Sequence, residues 1–158
     1  MLRGVEGRDE AAAAVAPVHL ARGKPAAAAA VLRRRLAATS PDRLDVAVIE
    51  LLGEAAIELG NRDVAVEQGR RVVALGAASN CHLIVAHGER LVGQALASTD
   101  PAAARKHLEV ALGAFAQAGI PYRAAQTRLL LAQLWASAVP DAPATFVSVD
   151  VCEIVGQA

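Results

Sequence analysis

The chain has 158 residues with 16 basic and 16 acidic side chains, a formal net charge of zero, which weighs against a protein that binds nucleic acid, because a polyanion needs a basic surplus or a basic face. Apolar residues make up 54% and aromatics only 3%, and about a quarter of the chain is alanine, the strongest helix former and one small enough to let helix axes approach closely. A β-sandwich would draw instead on Val, Ile, Thr and rings, so the composition favours an all-α fold in a chain long enough to bury a core without metals or disulfides.

Helix-breaking clusters divide the chain. The first helix is predicted over residues 6–22 and ends at Gly23-Lys24-Pro25, the second spans 25–38 and ends at Thr39-Ser40-Pro41-Asp42. The third, 41–59, stops at Gly60-Asn61-Arg62-Asp63, and the fourth, 63–75, at the stretch from Gly76 to Asn80. The fifth, 80–98, runs into Ser98-Thr99-Asp100-Pro101, the sixth, 101–118, into Gly119-Ile120-Pro121. The seventh covers 121–138 and, past Pro140-Asp141-Ala142-Pro143, the eighth covers 142–156. Gly23, Gly60, Gly76 and Gly119 suit the left-handed position just past a helix. Ser40-Pro41 and Asp100-Pro101 pair a capping oxygen with a proline at the first helical position, and Ser79 and Asn80 offer another cap.

Pro25 to Asp63 is 38 residues, and Asp63 to Pro101 is 38 again. Two interleaved sets of breaks at one period describe repeated helical hairpins. The expectation is one domain, 1–158, an α-solenoid of about four stacked antiparallel pairs: 6–38, 41–75, 80–118 and 121–156. Apolar residues recur at helical spacing: Leu44, Val48, Leu51, Ala55; then Ala104, Leu108, Ala111, Leu112, Phe115; then Tyr122, Ala125, Leu129, Ala132, Ala136. Leu129-Leu130-Leu131 is apolar nearly all round, as for a helix between neighbours. A thin pair cannot bury its face alone, so stacking supplies the core.

The stretch from His107 to Ala132, with Phe115-Ala116-Gln117-Ala118-Gly119-Ile120-Pro121-Tyr122 and then Ala124-Ala125-Gln126-Thr127-Arg128-Leu129-Leu130-Leu131-Ala132, resembles the tetratricopeptide-like region of MalT-like, LuxR-type ATP-dependent bacterial transcriptional regulators. The resemblance is best over 80–135 and more generic over 20–75. It implies a repeat region that receives an inducer or a partner protein. The chain lacks the Gly-x-x-x-x-Gly-Lys-Ser/Thr phosphate loop, so ATP binding does not carry over. It reaches Ile154-Val155-Gly156 about where the family's helix-turn-helix would begin, so DNA binding does not carry over either.

Candidate chemistry is sparse. Cys81, His82 and His87 are three ligand types on one helix, but neighbours point about 100° apart and a five-residue step shares a face poorly, so neither a zinc site nor a Cys-His nucleophile is expected. Asp42, Asp45, Glu50, Glu54 and Glu58 fall on one hairpin. Glu50, Glu54 and Glu58 sit at i, i+4 and i+8, a row expected to be a solvated or groove face. Arg33-Arg34-Arg35 and Arg70-Arg71 stand one period apart and are expected along one ridge. Tyr122 and Trp135 are expected to fill gaps between helices, and Arg123, Gln126 and Trp135 are the residues to inspect if a groove exists.

No catalytic, cofactor-binding or metal-binding residue is assigned, and no cofactor is expected. The expected function is non-catalytic: a helical-repeat module that contacts a protein partner or small effector in a concave groove. The rival is a truncated piece of a DNA-binding regulator whose helix-turn-helix lies outside this chain. No charged leader with an apolar run opens the chain, since the Ala-rich stretch 11–21 carries Pro17 and His19, and no run approaches the roughly 18 apolar residues of a membrane span. A soluble cytoplasmic protein is expected, with Cys81 and Cys152 reduced. The Val-rich last helix has no polar cap, which predicts that it packs on a second copy or a further domain.

Overall fold

Where a helix stops here is decided by one device used four times. Gly23, Asn80, Gly60 and Gly119 all hold positive φ, between 51° and 76°, and each is followed by a residue whose N–H reaches back five positions. Lys24 bonds His19, Asn61 bonds Ala56, Cys81 bonds Gly76 and Ile120 bonds Phe115, at 2.8 to 3.0 Å. This is the Schellman arrangement, which satisfies last-turn carbonyls and turns the chain sharply.

A computed structural model describes residues 14–39 and 45–138, and among these every regular element is a helix. They are α1 (residues 14–21), α2 (Pro25–Ala38), α3 (Val46–Glu58), α4 (Arg62–Ala78), α5 (His82–Leu96), α6 (Pro101–Gln117) and α7 (Pro121–Ala138). Apart from the longer α2–α3 link, connections are three or four residues, which makes successive helices antiparallel neighbours. From α2 onward each helix packs against the next, and α3 also touches α5, as in a helical repeat. The eighth helix expected at 142–156, its contact with a second copy, and Cys152 fall outside the described residues.

Several boundaries differ from the sequence reading. The third helix starts at Val46 rather than at 41, because Asp45 caps it by accepting from the Ala47 N–H at 3.1 Å. Gly76 does not end α4. It lies buried inside the helix, which continues to Ala78, and Asn80 takes the left-handed position instead, as the short polar side chain of asparagine allows. A Cβ on Gly76 would lie 2.5 Å from the Val85 nitrogen, so this glycine serves the approach of α5 rather than a turn. The α5 cap expected from Ser79 or Asn80 is absent: Cys81 precedes the first turn without a side-chain hydrogen bond. At α6 the reading holds, with Pro101 at the first position and Asp100 accepting from Ala103 at 2.9 Å.

The core is distributed along the helices in small clusters. Ala16, Ala28, Ala29, Leu32, Val48, Leu52 and Ala55 join α1, α2 and α3. Ala86, Ala111, Phe115 and Ala124 join α5, α6 and α7. Gly69 on α4 and Gly88 on α5 meet at another close crossing: a Cβ on Gly88 would meet the Gly69 oxygen and the Val73 nitrogen at 2.7 Å. Small residues at such points bring backbones together, so an alanine-rich core can close around a single buried phenylalanine, Phe115, among the described residues.

The expected stripe on α6 is buried: Ala104, Leu108, Ala111 and Phe115 are inaccessible to solvent, with Leu112 half-buried. The expected stripe on α7 is not. Ala124, Thr127 and Leu134 face the core, whereas Tyr122, Ala125, Leu129, Ala132 and Ala136 are all exposed. Leu130 and Leu131 are half-buried, so the apolar run is covered on one side only among the described residues. α7 carries two apolar faces at helical spacing, and the one without a gap in its pattern is the one turned outward.

Candidate functional site

The row of three carboxylates on α3 is one face, but its members sit at different depths. Glu50 is 5% exposed, Glu54 half-buried and Glu58 exposed. The row climbs out of the contact between α3 and α5 with one helical turn per step. A buried carboxylate needs partners, and Glu50 has three. Arg90 Nη2 donates to its Oε1 at 2.6 Å, His87 Nδ1 lies 3.0 and 3.1 Å from its two oxygens, and Arg123 Nη2 reaches Oε2 at 3.5 Å. The same Arg90 Nη2 donates to Glu54 Oε1 at 2.5 Å. His87 meets Phe115 edge to face at 5.0 Å between ring centres. The cluster therefore ties α3 to α5, α5 to α6 and α7 to α3.

Burial would raise the Glu50 pKa. The hydrogen bond from His87, then the charge and hydrogen bond of Arg90, outweigh it and hold the carboxyl at about 2, against an ordinary 4.5. Burial likewise acts to lower the Arg90 pKa, but the Glu50 charge leads the opposing causes and the guanidinium stays above its usual value. Glu50 and Arg90 are thus an ionised pair at neutral pH. Arg90 is 4% exposed and its Nε has no acceptor among the described residues, a desolvated donor that costs about 1–3 kcal/mol.

Above this pair opens a cleft of about 380 Å³, lined by Glu54 and Glu58 from α3, Arg90 and Gln94 from α5, and Gln126, Leu129, Leu130 and Gln133 from α7. Its size falls within the range of small-molecule and short-peptide sites. Gln126 is oriented at both ends, accepting from Arg123 at 3.1 Å and donating to Tyr122 Oη at 3.0 Å. Of the residues to inspect in a groove, Gln126 lines this one, whereas Arg123 does not and instead reaches Glu50.

Other expectations fare differently. Glu50 is not part of a solvated face, because Arg90 and His87 from α5 cover it. Trp135 and Tyr122 do not fill interhelical gaps: they are 63% and 70% exposed. Trp135 lies outside the cleft, in a separate hollow of about 550 Å³ between the start of α6 and the end of α7, with Arg105 stacked 5.7 Å from its ring. Cys81, His82 and His87 do not converge. Cys81 is free and half-buried, His82 is exposed, and among the described residues no group of three His, Cys, Asp or Glu is placed to hold a metal ion. Arg33, Arg34, Arg70 and Arg71 are exposed on α2 and α4, whereas Arg35 turns to Asp45 at 3.2 Å. Asp42 falls outside the described residues.

Arg90 was missed by sequence reading. The available signal was weak: it sits on α5 among apolar residues, about one repeat after Glu50, and a charge on an otherwise buried face needs a counter-charge on the neighbouring helix. No helix among the described residues is long and apolar enough to cross a membrane. Comparison with protein-family models, with curated proteins and with solved structures finds no match.

Proposed function

We propose that this chain is a recognition module that works without covalent chemistry, holding a segment of a partner protein or a small effector in the α3–α5–α7 cleft. One observation carries this reading: residues from three alternate helices, separated by whole repeats in sequence, line a single cleft whose floor is an ion network joining all three. A site whose walls are already fixed loses less conformational entropy on binding. We place its action in the cytoplasm and, from the resemblance of residues 107–132, within or derived from a bacterial transcriptional regulator. A photo-crosslinking residue at Gln133, compared with one at Glu109 on the exposed side of α6, tests the reading. Capture of a defined ligand from position 133 and not from 109 supports it, and equal capture from both removes it.

The same resemblance supports a second reading, in which the chain is one piece of a DNA-binding regulator whose helix-turn-helix lies elsewhere. Sequencing the coding region on both sides tests this directly, and flanking regions that encode no such domain would end it.

A further inference from the structure

Taking the recognition role of the cleft as its basis, we infer that the ligand is a peptide segment carrying a lysine or arginine next to an apolar side chain. The charges point that way. Two carboxylates, Glu54 and Glu58, line the cleft with one guanidinium, Arg90, while Glu50 and Arg123 belong to the ion network that Arg90 joins. Arg90 is already shared between Glu50 and Glu54, and Arg123 reaches Glu50. An incoming anion finds both cations engaged. Glu58 is exposed, lines the cleft and makes no ion pair among the described residues, so a cation finds a carboxylate waiting.

The opposite wall is of another kind. Leu129 is 60% exposed and stands beside the half-buried Leu130, an apolar surface that a purely ionic ligand such as a polyamine would leave uncovered. Hydrogen-bonding capacity is left between the walls. The Gln133 side chain, exposed at the cleft, makes no hydrogen bond among the described residues and offers both a donor and an acceptor, the complement of a peptide group. A purely apolar ligand would use none of these. Gln126 and Gln133 are two turns apart on α7, about 10.5 Å along the axis, a span covered by about three to four residues of extended peptide.

The test is fluorescence anisotropy with a labelled hexapeptide of alternating Lys and Leu, set against its Glu-Leu and Lys-Ser counterparts. The Lys-Leu peptide is expected to bind about tenfold or more tighter than either counterpart, with affinity falling as salt rises. Glu58→Lys and Leu129→Ser, both at exposed positions, are expected to weaken it about tenfold each, while Glu109→Lys leaves it unchanged. Unchanged thermal unfolding of the variants shows that the fold is kept. Binding of the Glu-Leu peptide as tight as Lys-Leu, indifference to both cleft substitutions, or no Lys-Leu binding up to about 1 mM overturns the inference. If position 133 still captures a ligand, and that ligand is anionic or wholly apolar, the recognition role survives and only the ligand class is wrong. If position 133 captures nothing selectively, the role itself fails.

Discussion

Glu50 and Arg90 stand 40 residues apart in the chain and 2.6 Å apart in space, each about 95% withdrawn from solvent. Their pairing couples α3 to α5 directly, across the helix that separates them in sequence. Buried ion pairs are asymmetric in energy: forming one gains little over a well-packed apolar pair, but removing one partner strands a charge.

Arg90→Met is therefore expected to destabilise the protein by about 3–5 kcal/mol, because Glu50 would lose its closest cation while staying covered. Adding Glu50→Gln to that variant is expected to recover part of the loss. Urea denaturation of the two single variants and the double variant closes the cycle. A double variant as unstable as the sum of the singles would show that the two residues act independently.

The Glu50 carboxyl also sets an acid limit. Its folded pKa, about 2, lies below its ordinary 4.5, so the folded state favours the ionised form. The corresponding stability, at most about 3 kcal/mol, is fully present above pH 4.5 and is lost as pH falls towards 2. Urea midpoints measured across that window are expected to fall steeply for the native sequence and less steeply for Glu50→Gln. Parallel slopes in the two proteins would place the acid sensitivity elsewhere.

Two glycines inside helices should respond oppositely to alanine. Gly88 meets α4 backbone atoms that cannot yield, with the Gly69 oxygen and Val73 nitrogen 2.7 Å from the new methyl, so Gly88→Ala is expected to cost about 1–3 kcal/mol by forcing α4 and α5 apart. Gly113 lies within α6 with nothing within 4 Å of a Cβ. There the gain in helix propensity acts alone, and Gly113→Ala is expected to stabilise by about 0.5–1 kcal/mol. Thermal unfolding of both variants gives the signs.

At the start of α6, Asp100→Ala removes the acceptor for the Ala103 N–H and is expected to cost about 1 kcal/mol. Asp100→Asn, which keeps an acceptor oxygen, is expected to restore most of it. Equal losses from the two substitutions would mean that charge near the helix end matters more than the hydrogen bond.

The helix breaks at residues 23, 60, 100 and 119 were legible because left-handed glycines and Asp-Pro caps act over a few residues and need no distant partner. Gly76 misled because a glycine at a close helix crossing looks, in sequence, the same as one at a helix end. The α7 stripe misled for a related reason. Two apolar faces share one helix, and periodicity reports that a face exists without reporting what lies against it. The site was half legible: the row of Glu50, Glu54 and Glu58 and the interest of Arg123 and Gln126 could be read, whereas Arg90 could not.

The sequence by itself determined that this chain is helical, where most of its helices end, and that the breaks recur, since caps, breakers and alanine content are local properties of the backbone. Only the tertiary structure decided that Glu50 is buried while Glu58 is exposed, that Tyr122 and Trp135 face outward, and that α3, α5 and α7 enclose a cleft. Those outcomes depend on which helix lies over which, and burial, pairing and charge are set by neighbours that arrive from a full repeat away.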